Sequence, residues 1–445
     1  MPLLSWTRRV ASALCVAAGA LCVVPPASAA AQAAAQAASS AAPLPDNVAQ
    51  TPPPPPPGAD AALDSARAAK GATLHFAVYT YGPGDAVFER FGHIALAMRD
   101  ANTGEDIAFN WGMFGFDEPN FLWRFLTGDT RYWMAGYRTV EFNAMYQAQN
   151  RSIRKQVLNL TPVQRGALYD FLAWNAREEN KYYRYDYYND NCSTRVRDAL
   201  DWVLNGTLRP ALDSVNGHRT WRDETARATE GNLPVYVGIQ FALGRNADRH
   251  LTRWQQWFLP EYLAADLAST PVRGVALVSQ DTVLFTAQRE ALGEHGPDRI
   301  VPAIVTGLVL GLLVFVLARV APMAAGVFGV VWYAVGGLLG TALLLAGTAT
   351  KHVPYMGTNL NLTLVSPLLL AAALFWAWRG RADRRGRAAR ALAAVVAGIA
   401  IVGLVLNHVP GFHQGSMLLF MTVVPVHAAL AVVANGRRNS AARGT

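Results

Sequence analysis

The sequence predicts two structural classes in series: an exported α+β domain, then an all-α bundle of five transmembrane helices. Three observations carry this. Arg8-Arg9, the apolar run Val10 to Val24 and Ala27-Ser28-Ala29 have the order of a secretory signal. Between residues 72 and 286, stretches with two-residue alternation are interspersed with stretches at helical spacing, so strands and helices share one domain. From Ile300 to Ala434, five apolar runs approach the roughly 20 residues that span a bilayer. Composition agrees, since 52% of the 445 residues are hydrophobic against 16% charged, too apolar for an ordinary soluble chain of this length.

The leader predicts a cut after Ala29, making residues 1–29 the signal peptide and 435–445 a cytoplasmic tail. Cys22 follows Leu21, which is too large for a lipoprotein-type cleavage site. Cys15 and Cys22 leave with the signal, so Cys192 remains alone. A lone thiol cannot staple the fold, excludes cysteine-rich zinc sites and is a candidate reactive group. Residues 30–70 are Ala- and Gln-rich with an unbroken run from Pro52 to Pro57, and read as a disordered tether without chemistry. The net charge of +8 does not point to nucleic acid. Arg379, Arg381, Arg384, Arg385, Arg387 and Arg390 share one short loop, and Arg437, Arg438 and Arg443 lie in the tail, where the positive-inside rule puts cytoplasmic charge.

The exported domain is expected over residues 71–295. Thr73 to Tyr79 reads as a strand, followed by a turn at Gly82 to Gly84. In the next strand, Phe91 to Met98, Ile94, Leu96 and Met98 face one side while His93, Ala95 and Ala97 face the other. The small residues beside His93 leave room for a helix terminus to approach. After a turn at Asn102 to Gly104, Ile107 to Trp111 forms a strand that places Asn110 to flank His93. Residues 113–137 are heavily aromatic and read either as ordinary core or as an interfacial helix or acyl-chain groove at the bilayer surface. Strands are expected near 139–146 and 153–160, a helix with capping box and first-turn proline from Thr161, further helices within 220–267, and a hairpin over 272–286.

The stretch Tyr182 to Trp202 joins extended chain to a helix, and Cys192 sits at the join. Asp190, Asn191 and Ser193 are helix-capping types, while Val196, Ala199, Leu200 and Val203 repeat on one buried face shared by Cys192. Unpaired amides and the helix dipole at such a terminus lower a thiol pKa, and the amides of Cys192 and Ser193 are candidate oxyanion donors. The same position also suits a small buried residue with no chemistry. A thiol nucleophile needs a base, and His93 is the best placed histidine.

The apolar runs fall near 300–318, 324–346, 362–378, 391–408 and 416–434. With the first domain outside, Arg319, the arginine-rich loop and the tail all fall inside. The outer loops then carry His352, Asn359, Asn361, His408 and His413, whose spacing fits no metal-ligand set.

Phe91-Gly92-His93, Trp111-Gly112 and Tyr187-Tyr188-Asn189-Asp190-Asn191-Cys192-Ser193-Thr194, followed by the membrane segments, resemble the Lnb family of bacterial lipoprotein N-acyltransferases over about Ala72 to Ala434. The exported domain also resembles a circularly permuted papain-like fold, as in lecithin:retinol acyltransferase-like enzymes, with the histidine strand ahead of the nucleophile helix. The resemblance implies Cys192 as nucleophile, His93 as base and Asn110 as third polar residue, with His352, Asn359 and Asn361 on the substrate side. It implies a phospholipid acyl donor, a diacylated lipoprotein acceptor, no cofactor and an inner-membrane location. A membrane-tethered cysteine peptidase or amidase of the envelope, and a non-catalytic envelope scaffold, are the alternative classes.

Overall fold

A computed structural model describes residues 50–115, 119–272, 274–289 and 292–436. The expected signal peptide, the first part of the expected tether and residues 437–445 lie outside them. The chain forms a mixed α+β domain around one large sheet, followed by a helical part containing four candidate membrane-spanning helices.

Residues 50–70 overturn the expectation of a disordered tether. Helix α1 (Ala61–Gly71) starts at Asp60, whose carboxylate accepts from the Leu63 N–H. Arg67 on this helix is 2% exposed, and its guanidinium donates to Asp170 at 3.0 Å and to the Pro55 carbonyl at 2.9 Å. Thr51 is bonded to Asn180, and its carbonyl accepts from Trp174. Alanine contributes little apolar area but the best helix propensity, and prolines carry no N–H that needs a partner. Such a segment therefore docks on a neighbour despite its disorder-like composition.

The main further elements of the domain are β1 (Leu74–Tyr81), β2 (His93–Asp100), β3 (Asp106–Met113), α2 (Phe121–Thr127), β4 (Arg131–Arg138), α3 (Thr139–Ala148), β5 (Ile153–Leu158), α4 (Pro162–Asn175), β6 (Tyr182–Arg184), α5 (Cys192–Val203), α6 (Trp221–Thr229), α7 (Leu233–Ala242), α8 (Pro260–Ser269) and β7 (Val278–Phe285), with short helices and a small two-stranded ladder between α5 and α8. The seven strands pair in the order β7-β5-β1-β2-β3-β4-β6, each pairing antiparallel. The expected strand at 139–146 is helix α3. Phe142 and Tyr146 suit both periods, but their four-residue spacing puts both in the core while Val140 is left exposed. The expected hairpin is only a two-residue ladder, Pro271–Val272 with Val275–Ala276, and β7 leaves it to pair with β5 at the sheet edge.

The two sheet faces are packed differently. Phe76, Val78, Ile94, Leu96, Met98 and Trp111 pack with Ala167, Leu168 and Leu172 of α4 and Val196, Ala199 and Leu200 of α5. Ala77, Ala95, Ala97 and Ala108 on the other face admit Phe142 and Tyr146 of α3. The helix that approaches the alanine face is thus α3, and the cysteine helix lies on the opposite, large-residue face.

The helical part comprises α9 (Ile300–Val320), α10 (Pro322–Ala349), α11 (Leu368–Trp376), α12 (Arg384–Leu406) and α13 (Met417–Gly436). Four are long and apolar enough to cross a membrane; the third expected segment is not a single helix. It is a 3₁₀ turn at Leu360–Thr363 and the nine-residue α11, parted at Pro367, because proline disfavours helical conformation in the residue before it. Close packing replaces length there. A Cβ added at Gly340 of α10 would stand 2.4 Å from the Ser366 nitrogen, so this approach needs glycine.

Candidate active site

The start of α5 is held from both sides by Asn191. Its Oδ1 accepts from the Ser193 and Thr194 N–H groups at 2.8 and 2.9 Å, and its Nδ2 donates to the carbonyls of Tyr187 and Phe258 at 2.8 and 2.9 Å. The Ser193 hydroxyl donates to the Trp257 carbonyl at 2.6 Å. These bonds leave Cys192, the first helical residue, fixed in position.

Sheet irregularity brings His93 to it. Pairing between β2 and β3 stops at Leu96 opposite Phe109, and beyond that point the two strands no longer pair with each other. Gly112 lies there, at a break in the β3–β4 register, with φ +106, a conformation that side chains rarely adopt. The point that a Cβ of Gly112 would occupy is 3.8 Å from His93 Cε1 and 3.9 Å from Cys192 Cβ. Cys192 and the His93 ring thus both border the space beside Gly112. Both residues keep part of their surface accessible.

Asn110 completes the group. Its Nδ2 donates to Met113 Sδ at 3.0 Å, and its Oδ1 is hydrogen-bonded to His93 Nε2. A carbonyl oxygen only accepts, so Nε2 carries the proton and Nδ1 keeps its lone pair. Nδ1 has no partner among the described residues, which leaves it free to act as base.

The electrostatics correct one expectation. Burial pushes the Cys192 thiol up to about 11, although backbone N–H groups of Ile94, Ser193 and Cys192 and the nearby Arg151 oppose the rise. Burial, with the Arg151 charge, holds His93 down at about 4, against the opposing bond to Asn110. The resting pair is therefore neutral thiol and neutral imidazole, not a preformed thiolate. Arg151 reaches the site through a stack: its guanidinium lies 4.5 Å from the Tyr146 ring centre, and that ring lies parallel to His93 at 5.9 Å. Arg151 is 3% exposed, donates to the Gly82 carbonyl at 2.8 Å and lies near Glu89. Neither Arg151 nor Tyr146 was legible as a site residue, because each lies in a segment whose partners are distant in sequence.

Of the two expected oxyanion amides, that of Ser193 is already engaged by Asn191. The Cys192 N–H is the more available donor, having no oxygen acceptor among the described residues. The Tyr187 hydroxyl is buried without a hydrogen-bond partner there, and its ionisation is opposed by a charge on Cys192, so it lies within electrostatic reach of the sulfur.

The segment that assembles Cys192, His93 and Asn110 coincides with a known family. Residues 63–226 match the Lnb N-terminal periplasmic domain. The match is consistent with the Lnb family and runs from α1 into α6, so the Lnb region contains all three residues. No curated protein and no solved structure matches the chain.

The helical part docks beside this site through the loop after α10. Tyr355 donates its hydroxyl to Asp186 at 2.6 Å, accepts from Asn189 and packs against Tyr188 and Trp221. Asp186 also accepts from the Tyr188 and Asn189 N–H groups, ordering the chain that leads into Cys192. The three loop residues expected on the substrate side are committed elsewhere. Asn359 donates to the carbonyls of Phe241 and Ala242, and Asn361 to those of Gln240 and Phe241. They thereby satisfy the last carbonyls of α7, which have no partner within the helix. Asn361 also accepts from Ser416, and Asn359 from Gln414. His352 is bonded to the Phe125 carbonyl of α2 at 3.1 Å. No group of three His, Cys, Asp or Glu side chains converges as a metal site among the described residues.

Proposed function

We propose that the chain is a lipoprotein N-acyltransferase using Cys192 as nucleophile and His93 as base. The observation that carries this reading is the placement of the thiol and a histidine of defined tautomer beside the same glycine, Gly112, in a region matching the Lnb periplasmic domain and fastened to candidate membrane helices. In the first step the Cys192 sulfur attacks the ester carbonyl of a phospholipid while His93 Nδ1 takes the thiol proton. The Cys192 N–H stabilises the oxyanion. The C–O bond then breaks, His93 returns the proton to the leaving oxygen, and lysophospholipid departs from an S-acyl Cys192. In the second step the α-amine of a diacylated lipoprotein's N-terminal cysteine attacks the thioester. His93 takes the amine proton and delivers it to the departing sulfur, giving an amide and free Cys192. Asn110 keeps the imidazole in the tautomer both steps require, and the neutral resting pair limits idle reaction with water. In this reading the domain is a permuted papain-like fold facing the periplasm, and the arginine-rich loop and C-terminus are cytoplasmic.

The test is reconstitution of the full chain in bilayers of acyl-labelled phospholipid without acceptor. A hydroxylamine-labile acyl group on Cys192, transferred to an added diacylated lipopeptide, is expected. An unlabelled Cys192 with no transfer to the lipopeptide, or lipoprotein N-acylation persisting in cells that carry Cys192→Ala or His93→Ala, overturns the proposal.

A further inference from the structure

Helix α2 presents an exposed apolar face that the site does not use. Leu122, Trp123, Phe125 and Leu126 are each more than half exposed, and the helix carries Arg124 but no acidic residue. Its place is set by the membrane part. The Lys351 N–H donates to the Thr127 carbonyl at 2.8 Å, and His352 bonds the Phe125 carbonyl, both just beyond the end of α10 at Ala349. Leu345, 55% exposed on α10, precedes Lys351 by a rise on the order of 9 Å. The exposed face of α2 thus stands within about two helical turns of the lipid-facing surface of a membrane helix. In-plane helices bury their apolar face about 5–10 Å into the boundary between headgroups and acyl chains.

A series of rings leads from α2 toward the nucleophile. Phe125 faces Phe121 at 6.3 Å, Phe121 faces Phe114 at 6.3 Å, Phe114 faces Tyr132 at 5.0 Å and Tyr132 faces Tyr185 at 4.1 Å, each pair stacked. A charge on Cys192 opposes ionisation of Tyr185, so this last ring lies within electrostatic reach of the sulfur. We infer that α2 lies in the outer leaflet of the bilayer, and that the rings of Phe121, Phe114 and Tyr132 guide one acyl chain of a membrane lipid from it to Cys192. The ring path rests on the acyl-transfer reading; the insertion of α2 does not.

The experiment has two arms. In the full chain with Cys15, Cys22 and Cys192 replaced by serine, a nitroxide is attached through Trp123→Cys, or through Thr103→Cys in the exposed turn at the far end of β2. In nanodiscs holding one copy each, the Trp123 label is expected to be open to oxygen and shielded from a water-soluble nickel chelate, and the Thr103 label the reverse. Equal nickel access at both positions overturns the insertion, as does shielding that requires two copies per disc. In the second arm, Leu122→Asp with Leu126→Asp, and separately Phe114→Ala, are expected to lower acyl-Cys192 formation from vesicle phospholipid at least tenfold. Alkylation by iodoacetamide and acylation by a soluble short-chain p-nitrophenyl ester are expected to stay unchanged. Equal losses with the soluble ester overturn the ring path. Absence of acyl-Cys192 in the unsubstituted protein overturns the proposed function and the path together, while the spin labels still decide where α2 lies.

Discussion

Replacing Asn110 with aspartate tests the site geometry without any assumption about substrate. The thiol at about 11 and the imidazolium at about 4 put the ion pair on the order of 9 kcal/mol above the neutral pair, before their mutual attraction. Direct contact in the reacting pair returns at most about 4 kcal/mol, the attraction of unit charges 4 Å apart at an effective dielectric constant near 20. The remaining gap of at least about 5 kcal/mol makes Cys192 a slow nucleophile at neutral pH. In Asn110→Asp a carboxylate takes the place of the oxygen that accepts from His93 Nε2, and an opposite charge at that range raises a pKa by about 1–3 units. The ion pair gains about 1–4 kcal/mol, and the thiolate fraction rises about tenfold to a thousandfold. The assay is the second-order rate of Cys192 alkylation by iodoacetamide between pH 6 and 9, with intact mass identifying the product. The unsubstituted protein should react slowly and faster with rising pH; the variant should react at least tenfold faster at pH 7 with a flatter profile. A folded variant with an unchanged or slower rate would refute the pairing of Asn110 with His93.

Other perturbations separate structure from chemistry. Asn191→Ala removes a helix cap and strands the carbonyls of Tyr187 and Phe258, a loss of about 2–4 kcal/mol that should appear as a lower melting temperature. Because folded His93 resists protonation until about pH 4 while the unfolded residue takes its proton near 6.5, stability should fall as pH drops through that window, by about 3 kcal/mol in all. His93→Gln should flatten that slope in a melting series from pH 7 to 4. Tyr355→Phe removes the donor to Asp186, and should cost about 1–3 kcal/mol of thermal stability while leaving iodoacetamide reactivity within threefold.

Much of this arrangement was legible from residue types in order. Alternation in β2 separated Ile94, Leu96 and Met98 from His93, Ala95 and Ala97, and the two sets do line different faces. Spacing along α5 identified the buried Val196, Ala199 and Leu200, and strand order alone put Asn110 near His93. The failures share a cause in non-local packing. Alanine beside His93 told of a close neighbour but not which helix, because α3 was masked by a pattern that fits both periods. The terminus of α5 promised a lowered thiol pKa, but burial by distant segments outweighs a few local amides. Asn359 and Asn361 entered through the resemblance alone; their side-chain amides bond the end of α7, more than a hundred residues earlier, a contact that no local pattern announces. Pro367, by contrast, was visible from the start and parts the third membrane segment.

The fastening of the exported domain to the membrane helices has a mechanical consequence. Arg299 bonds the Glu230 carbonyl ahead of α9, Lys351 is held to Thr127 after α10, and Gly415 is held to Asp248 ahead of α13. The domain is thereby tied to the bundle at three points. Its elevation is set by how deeply the bundle rides in the lipid, and α10, at 28 residues, is about 42 Å long against a hydrocarbon layer of about 30 Å. On the proposed acyl-transfer reading, bilayer thickness then sets the height of the ester bonds relative to Cys192. In that reading the chain is a caliper, and contact between thiol and ester depends on the thickness of the lipid layer.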